Sequence, residues 1–177
     1  IFFTGCLFQS GKWRIFRNTH ASFFRGTVLI CDEHSGLKRL RLGVLASGGG
    51  SNLQSIIDHS LDGSLDAEVV VVISNNSGAG ALGRARKHGI AAMHVSAVTE
   101  GSPEAADNRI VAEMNARDVD LIVLAGYMKK AGPMLLAEFK DRIINIHPAL
   151  LPKFGGEGMY GMRVHEAVIS SGETESG

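Results

Sequence analysis

A chain of 177 residues with 18 basic and 18 acidic side chains suits one domain and has no net field to draw it onto nucleic acid or an anionic membrane surface. No apolar run reaches the roughly 18 residues a spanning helix needs. Two cysteines, Cys6 and Cys31, lack the spacing of metal ligands or of a disulfide framework, so a soluble, metal-free protein in a reducing, cytoplasmic setting is expected.

The first 40 residues differ from the rest. No acidic residue precedes Asp32, whereas Lys12, Arg14, Arg17 and Arg25 interleave with Phe2, Phe8, Trp13, Phe16 and Phe23. Such a leader has the charge of a transit peptide, but its serines are few and no helical stripe runs through it. An appended segment or extended reading frame with no packed role is expected instead, and residues 1–40 are set apart from a domain over 41–177.

From Arg41 the pattern is regular. The apolar run 42–46 ends in Ser47-Gly48-Gly49-Gly50-Ser51-Asn52, and Leu53, Ile56, Ile57 and Leu61 follow at helical spacing. The β-branched run 67–73 predicts a strand covered on both faces, and 79–88 a helix closed by Gly89 at its C′ position. A third strand is predicted over 90–95, then a polar loop. Ser102 caps and Pro103 opens a helix to about Arg117, with Ile110, Val111 and Met114 inward. A fourth strand over 120–125, a helix over 133–139 and a fifth strand over 142–146 complete the alternation. Strands and helices at this spacing require parallel pairing through right-handed crossovers, so the fold class is α/β with a doubly wound, mostly parallel sheet. Ligands of such sheets bind beyond the carboxyl ends of strands, where strand order reverses.

The loops after the first, fourth and fifth strands carry the unusual residues. Gly48-Gly49-Gly50-Ser51-Asn52 offers backbone amides, a helix N-terminus and a hydroxyl to an anion, phosphate being the natural guest. No Gly-Lys-Ser/Thr follows, and Leu53 stands where a dinucleotide fingerprint needs its third glycine. The same glycines also suit a plain tight turn, and both readings stand. Met128, Lys129 and Lys130 leave the fourth strand, the lysines by default a solvated pair. Asn145 and His147 stand two apart, so in an extended strand they share a face and set a hydrogen-bond donor beside a titratable group. The plain alternative is a strand-end Asn and a surface His before Pro148. A glycine-rich loop over 153–161 permits the movement a lid requires, and His165 on the next helix, 164–170, reads as a surface or packing residue.

Taken in order, Leu45-Ala46-Ser47-Gly48-Gly49-Gly50-Ser51-Asn52-Leu53, the stretch 69–76 with Gly83-Arg84-Ala85, Leu124-Ala125-Gly126-Tyr127-Met128, and Asn145-Ile146-His147-Pro148-Ala149-Leu150-Leu151-Pro152 resemble the phosphoribosylglycinamide formyltransferase family, folate-dependent enzymes of purine synthesis. The resemblance covers about residues 40–177. The Asn-x-His-Pro element marks the wider group of 10-formyltetrahydrofolate transferases; the Ser-Gly-x-Gly-Ser-Asn loop narrows it. What the resemblance implies is a Rossmann-like formyltransferase fold. It also implies formyl transfer from the co-substrate 10-formyltetrahydrofolate to the amine of 5'-phosphoribosylglycinamide, on the route to IMP. Gly50, Ser51 and Asn52 would hold the ribotide phosphate, and Met128, Lys129, Lys130, Ala131 and Asn145 the folate, with the segment after Pro152. Asn145 would donate to the oxyanion and His147 act as general acid or proton shuttle. The implied partners are these two small molecules, without metal, nucleic acid or membrane.

Two departures from the family pattern bear on activity. Its third catalytic residue, an aspartate beyond a Thr-Val-His-type motif, would fall past Gly177, so a domain truncated before its last strands, with little turnover, is expected. A folate-contacting arginine of the family aligns near Pro103, and Lys129 replaces a usual arginine, keeping charge without bidentate carboxylate recognition. A formyltetrahydrofolate hydrolase is the nearest alternative, although residues 1–40 are too short for the regulatory domain it usually carries. Methionyl-tRNA formyltransferase fits less well for want of a basic face. Outside catalysis, the alternative is a ribotide-binding remnant.

Overall fold

The computed structural model describes residues 7–9, 12–14, 38–150, 152–156, 158–159 and 162–175. Cys6, Cys31, most of the leader, Leu151, and Glu157, Tyr160 and Gly161 of the glycine-rich segment lie outside the described residues. In the leader, β1 (Leu7–Gln9) and β2 (Lys12–Arg14) pair antiparallel in a sheet of their own. The chain then runs β3 (Leu40–Leu45), α1 (Ser51–Leu61), β4 (Ala67–Ser74), α2 (Gly80–Lys87), β5 (Ala91–His94), α3 (Ala97–Glu100), α4 (Pro103–Asn115), β6 (Leu121–Leu124), α5 (Pro133–Glu138), β7 (Ile143–Asn145) and α6 (Met162–Ser170). It divides into two compact units, residues 1–143 and 144–177.

The main sheet has the order β5-β4-β3-β6-β7, and the pairs β3/β4, β3/β6 and β4/β5 are parallel. The chain starts at β3 in the middle, moves outward through β4 and β5, then crosses back to β6. Strand order therefore reverses between β3 and β6, as a doubly wound sheet requires, and the loops after those strands flank the crevice.

Successive strand residues point to opposite faces, and the core divides accordingly. Leu42 and Val44 pack with Leu53 and Ile57 of α1 and Leu82 of α2. Leu45, Val71 and Ile73 pack with Ile110 and Met114 of α4 and with Leu135 and Phe139 at α5. Full burial of side chains such as Leu45, Leu53 and Ile73 stabilises by about 2 kcal/mol each. The register shifts at Leu42/Gly43: Leu42 pairs with Val69, and Gly43 with Val71. This bulge changes the phase of β4, so that Val69 faces the α1/α2 layer while Val71 and Ile73 face the α4/α5 layer. A continuous β-branched run shows no period from which such a bulge is legible.

The predicted caps are present. Ser102 accepts from the Ala105 amide at 3.0 Å with Pro103 at the start of α4, and Gly89 after α2 is left-handed, with φ of 69°. Three details differ from expectation. The loop after β5 holds the short helix α3, closed by a capping box between Ser96 and Thr99; the Ser-x-x-Thr spacing was the available signal. Leu61 continues the apolar stripe of α1 but is 70% exposed, because the helix ends there. The fifth strand stops at Asn145, one residue short of the expected end, and Ile144 and Ile146 are about half exposed.

Candidate functional site

The turn after β3 is built around Gly50, which is left-handed (φ 76°, ψ 32°) and precedes α1 with no side chain bonded over the helix end. A Cβ here would meet Ala81 Cα at 2.7 Å, so both the dihedral and the space require glycine. Ser51 and Asn52 are exposed in the first turn, which contains no acidic residue. From α2, the Ala81 amide donates to Gly48 O at 3.1 Å and Arg84 Nε to Gly49 O at 2.8 Å, holding the loop from outside. An uncapped helix N-terminus behind a braced glycine turn has the geometry and the dipole to accept an anion.

Ser47 was not singled out on sequence. Its amide donates to Gly126 O at 3.1 Å, its Oγ accepts from the Met128 amide at 2.7 Å, and its hydroxyl proton goes to Asn75 Oδ1. Asn75 follows β4, so one side chain joins the exits of β3, β4 and β6.

Beyond the carboxyl ends of β4, β5 and β6 opens a cleft of about 820 Å³, bounded by His94, Asp107, Tyr127, Lys129, Lys130 and Ala131. Three of the four residues predicted on the folate from this loop thus share one wall. The fourth, Met128, is exposed, does not line the cleft and has its amide on Ser47. Pro103 lies on the same cleft.

The end of this loop is set by α5, whose six residues are too few to hold a helix alone. Two things anchor it: the buried Leu135 and Phe139, and the buried Asp107 of α4, which accepts from the Met134 amide at 2.8 Å and the Leu135 amide at 3.3 Å. Gly132 makes room for that carboxylate, since a Cβ there would lie 2.1 Å from Asp107 Cγ. Asp107→Ala leaves a buried and a part-buried donor unpaired, and the expected loss is about 1–3 kcal/mol in urea unfolding. A loss below about 0.5 kcal/mol would show that α5 holds without the cap.

Burial pushes the Tyr127 phenol above its ordinary pKa, and the nearby Asp107 carboxylate adds to the shift. The folded state therefore holds this proton more tightly than the unfolded chain. The resulting stability is full below the ordinary value of about 10 and is lost as pH rises through the folded value. An ultraviolet titration of the folded protein is expected to show one phenol ionising late. Its persistence in Tyr127→Phe would assign the late step elsewhere.

In the second unit, Ala149, Val164 and Val168 form a small core with Phe154 and Met159 packed on it, and Lys153 pairs with Glu173. Asn145 is exposed and ends β7. His147 is half-buried, with Nε2 2.9 Å from Phe154 O. A carbonyl only accepts, so Nε2 carries the proton of the neutral ring and Nδ1 carries its lone pair. The expected strand does not reach both residues: β7 ends at Asn145, so strand pleating does not set the direction of the His147 side chain. His165 on α6 is exposed, in keeping with a surface role.

The model of the family described as formyl transferase matches residues 40–177. The chain belongs to the formyl transferase family. Among similar formyl transferases, the chloroplastic phosphoribosylglycinamide formyltransferase of Arabidopsis thaliana is 41% identical over 141 residues, covering 79% of this chain and 48% of that protein. The protein of the same name in Vigna unguiculata is 38% identical over 173 residues, 95% of this chain and 54% of that one, so the similarity reaches into the first forty residues. The crystal structure of glycinamide ribonucleotide transformylase 1 from Symbiobacterium toebii superposes with a TM-score of 0.71 at 38% identity, covering 78% of this chain and 63% of that one. The chain spans about half the length of these plant formyl transferases. Among the described residues no helix is long and apolar enough to cross a membrane, and no three His, Cys, Asp or Glu side chains converge as metal ligands.

Proposed function

We propose that this formyl transferase moves a formyl group from 10-formyltetrahydrofolate to the amine of 5'-phosphoribosylglycinamide. The observation that carries the reading is the Gly50 turn, an anion-ready helix N-terminus, in a chain about 40% identical to proteins named for that reaction. Gly50, Ser51 and Asn52 take the ribotide phosphate; Lys129, Lys130 and Ala131, which line the cleft of the first unit, take the folate together with Met128 and Asn145. The amine attacks the formyl carbon to give a tetrahedral intermediate. The Asn145 amide donates to its oxyanion, a contact worth about 3 kcal/mol. His147 Nδ1 takes the amine proton and returns it to N10 of the folate as the C–N bond breaks, releasing tetrahydrofolate and the formylated ribotide.

The reading assigns catalysis to residues 41–177 and leaves 1–40 outside the catalytic domain, in a chain working in the cytoplasm. The plant relatives are designated chloroplastic, so a fluorescent fusion of residues 1–40 tests that setting; import into an organelle would reject it. For the reaction, calorimetry with each ligand and an assay of formyl transfer are the tests. Saturable binding of both ligands and formylated product support the proposal. Binding of the phosphate ligand alone reduces the chain to a ribotide-binding module.

A further inference from the structure

We infer that Ser47 is a positioning residue, a latch that aligns the folate loop on the phosphate loop; the inference rests on the function proposed above. It stands at the carboxyl end of β3, beside the reversal of strand order, and none of the roles assigned above uses it. Three loops meet on this one residue. Its hydroxyl proton is committed to Asn75 Oδ1, which turns an oxygen lone pair toward the Met128 amide at 2.7 Å, while its own amide holds Gly126 O at 3.1 Å. Gly126 is left-handed, with φ of 71°, and the chain turns there from β6 into the loop that carries Lys129, Lys130 and Ala131. The amide of Gly126's second neighbour is thus fixed by a side chain from another loop, not by its own strand. The Asn75 backbone is itself restrained, because its main-chain carbonyl oxygen lies 3.3 Å from His94 Nε2 at the end of β5.

The phosphate side has independent supports, the Ala81 and Arg84 bonds to Gly48 O and Gly49 O. The folate side receives the Ser47 hydroxyl. This asymmetry separates a latch from general scaffolding: loss of the hydroxyl should loosen one ligand and spare the other.

The test compares Ser47→Ala, Ser47→Thr and Asn75→Ala with the unaltered chain, by calorimetry with 10-formyltetrahydrofolate and, separately, with phosphoribosylglycinamide. Ser47→Ala is expected to weaken the folate about tenfold, the effect of one lost hydrogen bond, and to change the ribotide by less than twofold. Ser47→Thr, which keeps the hydroxyl, should recover most of the folate affinity. Asn75→Ala, which frees the hydroxyl to rotate, should weaken the folate by about threefold; because Asn75 also lines the cleft, faster hydrogen exchange at that variant's Met128 amide decides the matter if Ser47→Ala does not fold. Equal weakening of both ligands, or no change in either, overturns the latch. If the unaltered chain binds neither ligand, the proposed function fails and the latch is read from hydrogen exchange at the Met128 amide. That amide should exchange at least tenfold faster in Ser47→Ala, or in Asn75→Ala if only that variant folds, and unchanged exchange overturns the inference.

Discussion

Replacing His147 with alanine is expected to lower the rate of formyl transfer about a hundredfold or more, the usual contribution of a positioned proton carrier, while ribotide affinity changes by less than about twofold. The reason is the division of labour along the chain. The proposal gives the phosphate to the Gly50 turn, on backbone amides and the helix dipole, and assigns the imidazole no part in holding it, whereas the amine can leave its charged intermediate only by giving up a proton. The bond from Nε2 to Phe154 O fixes the neutral tautomer and leaves Nδ1 for that proton. His147→Gln separates chemistry from packing: its side-chain amide can still donate to Phe154 O but cannot carry a proton. Single-turnover rates of the two variants should match. A glutamine variant near the unaltered rate would reduce His147 to a structural strut.

Gly50→Ala should cost the ribotide at least tenfold in affinity and lower the melting temperature by several degrees. The left-handed dihedral alone costs a residue with a Cβ about 1–2 kcal/mol, and the 2.7 Å approach to Ala81 Cα adds a clash with backbone that cannot swing aside. Relief of either strain rotates the first amides of α1 away from the position an anion would occupy. Calorimetry with inorganic phosphate and with the ribotide reads the loss. A double change with Ala81→Gly removes one of the clashing carbons but not the dihedral strain, so it should restore stability only in part. Unchanged affinity in a folded Gly50→Ala variant would move the phosphate off this loop.

Much of the fold was legible because burial imposes a period. The stripe Leu53–Ile57, the cap at Ser102 and the both-faces-apolar run of β4 each leave a local mark, and each element stands within a residue or two of its expected place. The marks fail where an element's end is decided by its neighbours. The fifth strand is shorter than its apolar run, since the chain leaves the ladder after Asn145. The helix α3 is four residues held by a serine and a threonine, with no buried residue to show a stripe.

The candidate site divides the same way. Glycine at position 50, the basic pair Lys129 and Lys130, and the Asn145-x-His147-Pro148 element are chemical types recognisable one residue at a time, so the sequence by itself determined the family and the residues worth testing. The tertiary structure alone decided what those residues touch. It engages the Met128 amide with Ser47 across 81 positions of chain, and it buries Asp107 beneath the Met134 and Leu135 amides. It also shifts the phase of β4 by one residue. A hydrogen bond depends on where two atoms meet, not on how far apart they stand in the chain. Pairings between loops therefore have no period to read, and they exist only once the sheet has brought the ends of its strands together.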